Sequence, residues 1–349
     1  MRVLIVGAGV IGTVYGTHLA SAGHAVSILS HPPRTQDVVR NGLIARDVLE
    51  GSRTDARVSV VPDAAGTAFD LVLVAVRSDQ LAAACSQLTG LAGSPAVVFF
   101  GNNPEGRPAV SGQVRGDVML GFPGVGGAMR DGTAEYVRIR QQPTTMQAGT
   151  DARLDQLARA LGTRGFAVQR VADMDGWLAY HAAFVACVAA ALYRCDTDPG
   201  RLAADRPALR LMCAAMTEAF AALRHMGVTG LPRNLAVLHN PLLKAVAVRY
   251  WAHTMRSPMG ELCFAAHARH AEAEMRALGD QLASRIGTAP AARHLRQLLK
   301  PAPAEAASER TVPIPADQAD YLIAAAARAP SVHNTQPWRF RVGHYVIEL

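Results

Sequence analysis

The stretch from Val3 to Gly12 reads VLIVGAGVIG, an apolar run followed by a turn that contains three glycines. A helix-compatible segment comes next, and a second apolar run occupies residues 25–29. Strand, glycine turn, helix and strand in this order are the context in which a G-x-G-x-x-G pattern indicates dinucleotide binding. In such a unit Gly7 permits the tight turn, Gly9 lets the backbone approach a pyrophosphate, and Gly12 lets helix and strand lie close together.

The helix that follows this turn should hold the phosphates of the ligand. The first N–H groups of a helix have no intrahelical partner, and the helix dipole adds a partial positive charge at that end. Val10 and Ile11 begin the predicted helix. We therefore predict that they bind the pyrophosphate together with the three glycines. A glycine-rich turn without a ligand is the alternative.

The end of the second strand indicates which dinucleotide binds. An NAD site usually has a carboxylate here, which accepts hydrogen bonds from the ribose 2′-OH. Residues 29–34 read LSHPPR and contain no carboxylate. The hydroxyl of Ser30, the imidazole of His31 and the guanidinium of Arg34 suit a 2′-phosphate better. The sequence predicts NADP(H) rather than NAD(H), with a basic surface loop as the alternative.

The composition bounds the class of protein. The 349 residues suffice for two domains, and 50% hydrophobic with 18% charged residues is a globular composition. The net charge of +7 comes from scattered arginines without a basic run, so no nucleic-acid partner is expected. Five cysteines without C-x-x-C spacing indicate reduced thiols and a cytoplasmic location, and the first apolar run begins too early for a signal peptide. The apolar segment 177–193 is short for a membrane span and predicts a buried helix, so no membrane partner is expected.

Two further predicted strands end beside polar side chains. Residues 70–76 (DLVLVAV) and 96–100 (AVVFF) are typical of a parallel sheet that is covered on both faces. The first strand is followed by Arg77, and the second by Asn102 and Asn103. Because ligands of such sheets lie beyond the carboxyl ends of the strands, we expect all three side chains at one cleft.

The chain changes character after residue 171. From residue 172 to about 299, alanine- and leucine-rich segments predict an all-helical domain. We therefore predict an α/β fold with a Rossmann domain over 1–171, a helical domain over 172–299 and the substrate in the cleft between them. The remaining strands of the predicted sheet lie at 118–121, 135–139 and 166–171, with a glycine-rich turn at 124–127.

Residues 1–299 resemble the ketopantoate reductase family. The resemblance is carried by the glycine turn, the strand end at 74–80 (VAVRSDQ), the loop at Asn103 and the helical domain headed by Trp177. It implies NADPH-dependent reduction of ketopantoate to pantoate in pantothenate synthesis, with no metal. It also implies that Arg77 stands for the family's phosphate-binding lysine, and that Asn103 contacts the nicotinamide ribose or the substrate. A homodimer is compatible with a helical domain of this kind.

The predicted helical domain departs from the family pattern. The resemblance implies a catalytic lysine two residues after the tryptophan, and this chain has Ala179 there. The asparagines expected one and two turns further on are Ala183 and Cys187. Glu261, in the segment SPMGE, is the nearest match to the family's late carboxylate.

Alanine cannot donate the proton that a developing alkoxide needs, so the acid must be another residue. His181 is the nearest candidate, although residues two apart on a helix point about 200° away from each other. It can replace the lysine only if the helix is rotated or the substrate lies elsewhere, and a hydrogen-bonded core histidine is the alternative. His267, His270 and Glu274 indicate a solvated helix face rather than a metal site.

The end of the chain has a resemblance of its own. The segment from Arg328 to Trp338 resembles the opening flavin-site loop of a nitroreductase-like family. Residues 313–349 are then a truncated segment of that family, joined by a proline- and alanine-rich linker at 300–312. Since the rest of the FMN site is absent from the sequence, this segment alone should not bind FMN.

Three functions follow from the sequence. The first is an NADPH-dependent reductase of a 2-oxo acid, with Asn103, His181 and Glu261 as candidate catalytic residues. The second is a catalytically degenerate NADP-binding protein, for which Ala179 is the main argument. The third is the front part of a fused flavin-dependent nitroreductase.

Overall fold

The computed structural model describes residues 1–286, 292–300, 341–342 and 347–348. Met1–Lys300 form one compact unit and Pro301–Leu349 a second. In the second unit the described residues form two short antiparallel strands, with Arg341 opposite Glu348. The rest of the predicted linker and of the nitroreductase-like segment lies outside the described residues.

The strands of the first unit form two sheets. One sheet has eight strands in the order β12-β11-β8-β7-β6-β1-β2-β5, and the other has four in the order β4-β3-β10-β9. The strands are β1 (Arg2–Val6), β2 (Ala25–Leu29), β3 (Leu43–Asp47), β4 (Arg53–Ala56), β5 (Ser59–Val60), β6 (Leu71–Val74), β7 (Ala96–Phe100), β8 (Asp117–Phe122), β9 (Val125–Arg130), β10 (Thr133–Arg138), β11 (Thr144–Gln147) and β12 (Val168–Val171).

The larger sheet has the predicted Rossmann arrangement. Strands β5, β2, β1, β6, β7 and β8 are parallel, and β11 is antiparallel to β8. Val3 of β1 lies between Val26 of β2 and Leu71 of β6, and it is completely buried because helices cover the sheet. The strand order reverses at β1, which is where ligands bind in sheets of this kind. The predicted α/β fold class is confirmed.

The helices occur in two groups along the chain. The first four lie among the strands, and the remainder form the helical part after residue 173. They are α1 (Val10–Ser21), α2 (Arg34–Asn41), α3 (Leu81–Gln87), α4 (Ala152–Thr163), α5 (Met174–Tyr193), α6 (Pro199–Ala204), α7 (Arg206–His225), α8 (Arg233–Leu238), α9 (Lys244–Met255), α10 (Ala266–His270), α11 (Glu272–Ile286) and α12 (Arg293–Leu299).

The smaller sheet corrects two predictions. Residues 135–139 do not complete the main sheet, because β10 pairs with β3 and β9 instead. The predicted turn at 124–127 is also wrong beyond its first residue, since Val125, Gly126 and Gly127 lie in β9. A Cβ on Gly126 would lie 2.5 Å from the Cys263 sulfur, so glycine there permits the close approach of a π-helix at 260–265.

Helix α5 forms the centre of the helical part. It is the one described helix that is long and apolar enough to cross a membrane, and most of it is buried inside the protein. Phe184, Val188 and Leu192 belong to the core that α5 shares with α7, α9, α11 and α12. The predicted buried helix is therefore confirmed, and its apolar composition is explained by burial on nearly all sides.

Candidate active site

A cleft of about 1220 Å³ lies at the carboxyl edge of the main sheet, opposite the helical part of the same unit. It brings together residues that the sequence places far apart. Eight predicted cofactor residues line it: Gly7, Gly9, Val10, Ile11, Ser30, His31, Arg34 and Arg77.

The three glycines of the turn have different surroundings. Gly7 has a φ of +94°, and a Cβ on it would lie 2.6 Å from the Ala75 carbonyl oxygen. A Cβ on Gly12 would collide with the Gly7 carbonyl, so this glycine is required for helix and strand to meet. Gly9 has no atom within 4 Å of a Cβ position, and it precedes α1 without a side-chain cap. The space beside Gly9 and the first N–H groups of α1 therefore fit an anionic group.

Arg34 lies against the glycine turn. Its Nε donates to the Ala8 carbonyl at 2.8 Å, and its second terminal nitrogen donates to the Thr13 hydroxyl at 3.0 Å. Its first terminal nitrogen forms an ion pair with Asp37. The guanidinium is thus held at the cleft wall, and Asp37 offsets part of its charge.

The other predicted phosphate ligand, Arg77, lies directly after β6. Its side chain is 43% exposed, and its Nε is 3.1 Å from the Asp79 Oδ1. The hydrogen bond to Asp79 raises the pKa of Arg77 above its usual value. Arg77 is therefore a permanent, solvent-accessible cation at the edge of the cleft.

Two adjacent asparagines follow β7 and play different parts. The Asn103 amide donates to the Gly106 carbonyl at 2.7 Å, and Asn103 is not among the cleft-lining residues. Asn102 lines the cleft, and its buried Oδ1 has no hydrogen-bond partner among the described residues. The amide that faces the cleft is thus that of Asn102, whereas Asn103 holds its own loop together.

His181 lines the cleft but does not have the properties of an acid. Its ring stacks on Trp177 at 5.0 Å, and its Nε2 is 2.9 Å from the Gln142 Oε1. Since the Gln142 amide nitrogen donates to Pro123, its oxygen faces His181 and accepts the Nε2 proton. Burial, with a smaller effect from His267, lowers the pKa of His181 to about 3. The neutral imidazole is therefore favoured near pH 7, and the hydrogen bond to Gln142 agrees with the alternative of a hydrogen-bonded core histidine.

The rotation of α5 decides which of its residues reach the cleft. His181, Phe184 and Val185 line it, three and four residues apart on one face. Ala179 is 5% exposed, and Ala179 and Ala183 are both absent from the cleft lining. The positions expected to carry the catalytic lysine and the first asparagine thus lie away from the cleft.

The carboxylate in the cleft is Glu274 rather than Glu261. Glu261 is half-exposed, pairs with Arg269 and does not line the cleft. Glu274 is 3% exposed, accepts a hydrogen bond from the Ser78 N–H at 3.1 Å and lies 3.5 Å from the His267 Nε2. Burial alone would raise the pKa of Glu274, but His267 and the Ser78 N–H together lower it below its usual value. A buried, ionised carboxylate therefore faces an imidazole in the cleft.

The sequence predicted that His267 and Glu274 lie on one solvated helix face. The structure does not have this arrangement. Helix α10 ends at His270, and Ala271 leaves the helical conformation before α11 begins at Glu272. This break turns Glu274 towards the sheet. Within the described part of the chain, no group of three or more His, Cys, Asp or Glu side chains is arranged to hold a metal ion.

Aromatic rings form the helical wall of the cleft. Phe184 lies 5.6 Å from Trp251 and 6.0 Å from Phe264, and Trp251 lies 5.7 Å from Phe264, measured between ring centroids. All three residues line the cleft. This aromatic wall, defined by Phe184, Trp251 and Phe264, suits an apolar group of a ligand.

Known proteins match both the sequence and the fold. Residues 3–151 match the family model of ketopantoate reductase PanE/ApbA. The 2-dehydropantoate 2-reductase of Halobacterium salinarum is 28% identical over 234 residues, which are 66% of this chain and 77% of that protein. A PanE/ApbA family ketopantoate reductase from Ralstonia eutropha has a TM-score of 0.66 at 25% identity, over 86% of this chain and 97% of its own. The chain is a ketopantoate-reductase-like oxidoreductase.

A further solved structure shares the fold. The ternary structure of D-mandelate dehydrogenase with NADH and anilino(oxo)acetate has a TM-score of 0.65 at 14% identity, over 86% of this chain and 97% of its own. The chain is thus similar to a 2-dehydropantoate 2-reductase and shares its fold with a dehydrogenase whose structure contains NADH. The comparisons give no support to a nitroreductase-like segment at residues 313–349.

Proposed function

We propose that this chain is an NADPH-dependent reductase of 2-oxo acids that carry a bulky apolar side chain. One observation supports this most: a single cleft contains the glycine turn, the His267–Glu274 pair and the aromatic wall. Reduction of such a carbonyl requires a hydride donor, a proton donor and a pocket for the side chain, and the cleft provides for all three.

Bound NADPH supplies the hydride. Val10 and Ile11 offer their N–H groups to the pyrophosphate, and Gly9 leaves the room that it needs. Ser30, His31 and Arg34 line the part of the cleft proposed for the 2′-phosphate. Asn102, with its unpartnered buried amide oxygen, is a better candidate than Asn103 for contact with the nicotinamide ribose or the substrate.

The cofactor preference can be tested with Arg34→Gln. Loss of a charge-assisted hydrogen bond should raise the Kd for NADPH by roughly tenfold relative to the Kd for NADH. Fluorescence titration of both cofactors gives the ratio, which is more informative than either Kd because Arg34 also holds the turn through Ala8. Arg115→Gln removes an exposed charge elsewhere on the sheet domain and should leave the ratio unchanged. If the ratio of the two Kd values is unchanged in Arg34→Gln, this arginine has a structural role only and does not select the cofactor.

The proton is proposed to come from His267. Its Nε2 faces the Glu274 carboxylate, which orients the ring. Its Nδ1 has no hydrogen-bond partner in the described part of the chain, and the side chain is 41% exposed, so water can return the proton after each turnover. Burial keeps His181 neutral. The two imidazoles lie in different environments, and we therefore assign the role of proton donor to His267 and not to His181.

The substrate class can be tested by the loss of NADPH absorbance with a graded series of 2-oxo acids. We expect kcat/KM to rise from pyruvate through ketopantoate and 2-oxoisocaproate to phenylglyoxylate, because the aromatic wall gains contact with a larger apolar group. Trp251→Ala should lower kcat/KM for phenylglyoxylate by about 10–100-fold and for pyruvate much less. If ketopantoate is by far the best substrate of the series, the proposed preference for apolar side chains is contradicted, but the proposed reductase activity is not.

The catalytically degenerate NADP-binding protein is the second candidate. Ala179, Ala183 and Cys187, at positions where the family resemblance implies polar residues, favour it. Tight NADPH binding without turnover on any acid of the series would put this candidate first. A cytoplasmic location, a homodimer, the domain boundary at 171–172 and a place in pantothenate synthesis stay predictions.

A further inference from the structure

A second cavity lies on the helical part, among α7, α8, α9 and α12, and has a volume of about 1280 Å³. We call it the basic groove. Among the described residues that line it there is no Asp or Glu. Five permanently cationic side chains line it: Arg206, Arg210, Lys244, Arg249 and Arg256.

Most of these cations lack a counter-charge. Arg256 donates to the Ala203 and Ala252 carbonyls, whereas the other four have no hydrogen bond or ion pair in the described part of the chain. Arg206 and Arg210 lie four residues apart on α7, a spacing at which like charges repel each other. A bound anion would relieve this repulsion.

A buried histidine in the same groove points to a ligand independently. His239 is 6% exposed, lines the groove, and neither of its ring nitrogens has a hydrogen bond among the described residues. Burial lowers the pKa of His239 to about 4, against a smaller opposing effect of the Cys213 backbone. The ring is therefore neutral near pH 7 and offers one N–H donor and one acceptor. Buried polar groups of this kind normally have a partner, which is often a water or a ligand.

The lining indicates the class of ligand. Guanidinium groups match phosphate oxygens with two parallel hydrogen bonds, and four of the five cations are arginines. The floor is partly apolar, with Leu211, Val248 and Ala252, and the volume exceeds what a lone phosphate needs. We propose that the basic groove binds a phosphate ester, with the phosphate on the arginines and the organic part over His239.

A ligand in the basic groove would contact a helix that also forms part of the cleft. Helix α9 presents Lys244 and Arg249 to the basic groove, and Tyr250 and Trp251 to the cleft. Leu238 lines both cavities, and the rings of His239 and Trp251 lie 6.4 Å apart. A phosphate ester in the groove therefore contacts the element that carries part of the aromatic wall.

The test is calorimetric titration of the full chain with inorganic pyrophosphate. Because pyrophosphate can also enter the cleft beside the glycine turn, two double variants isolate the groove. Arg210→Gln with Arg249→Gln neutralises the groove. Arg115→Gln with Arg159→Gln removes two exposed charges from the sheet domain, where neither residue has a partner in the described part of the chain.

We expect pyrophosphate to bind the groove variant at least about tenfold more weakly than the wild type, and the matched variant as well as the wild type. Sedimentation with phosphatidylglycerol vesicles, against pure phosphatidylcholine vesicles, distinguishes a lipid headgroup from a soluble ester. Vesicle binding that the groove variant loses would place the phosphate on a lipid. Equal weakening in both double variants, or no binding of either probe to the wild type, would overturn the proposal.

Discussion

Replacement of His267 by glutamine is expected to lower kcat for 2-oxo acid reduction by roughly 10²–10⁴-fold, the usual contribution of a positioned acid. Glutamine keeps a polar side chain of similar length but cannot deliver a proton. The Kd for NADPH should change little, because His267 is on α10 in the helical part and is not among the residues proposed to hold the cofactor. Single-turnover measurements of NADPH oxidation would separate this loss of chemistry from any change in product release.

Two further variants make this expectation specific. His270→Gln is the matched control, since His270 lines the same cleft from the same helix but hydrogen-bonds the Ala266 carbonyl and has no carboxylate partner. Its kcat should stay near that of the wild type. Glu274→Gln has nearly the same shape but no charge, so it should lower kcat by weakening the contact that orients the His267 ring. Equal kcat in His267→Gln and His270→Gln would remove His267 from the mechanism.

Introduction of the family's lysine as Ala179→Lys is expected to destabilise the protein rather than to restore a catalytic residue. Ala179 is 5% exposed and does not line the cleft. An ammonium group left there without a partner costs about 3–5 kcal/mol of folding free energy, and its longer side chain must displace well-packed neighbours. Calorimetry should show a fall in Tm of about 5–10 °C.

Ala82→Lys provides the control for this substitution. Ala82 is exposed on α3, so the same chemical change there should alter Tm by little. The turnover of Ala179→Lys with ketopantoate should not exceed that of the wild type at any pH. A variant with an unchanged Tm and faster turnover would show that residue 179 reaches the substrate, and that His267 is not needed to explain the missing lysine.

The fold around the glycine turn could be predicted from the sequence because its signal is local. The close contacts made by Gly7 and Gly12, and the open space at Gly9, are consequences of a strand, a tight turn and a helix that are adjacent in the chain. The gathering of Ser30, Arg34 and Arg77 at one edge follows from the parallel direction of β2 and β6. Asn102 and Asn103 show the limit of prediction from local sequence. They are neighbours after the same strand, but only one faces the cleft, and tertiary packing decides which.

The catalytic half could not be predicted to the same degree. The position of Glu274 in the cleft depends on a helix break at Ala271, and the local sequence RHAEAEM contains no proline or glycine that would indicate one. The smaller sheet was missed for a similar reason, because β10 pairs with β3 from a distant part of the chain and the glycines of β9 are typical of a turn.

By itself the sequence determined the Rossmann unit, the glycine turn and the absence of a lysine after Trp177, all of which depend on residues close together in the chain. The tertiary structure alone decided that α5 presents His181 rather than Ala179 to the cleft, and that burial keeps His181 neutral. It also decided that Glu274 meets His267 beside the Ser78 N–H. The physical reason is that burial and charge at a site depend on contacts between distant segments, which periodicity and spacing do not contain.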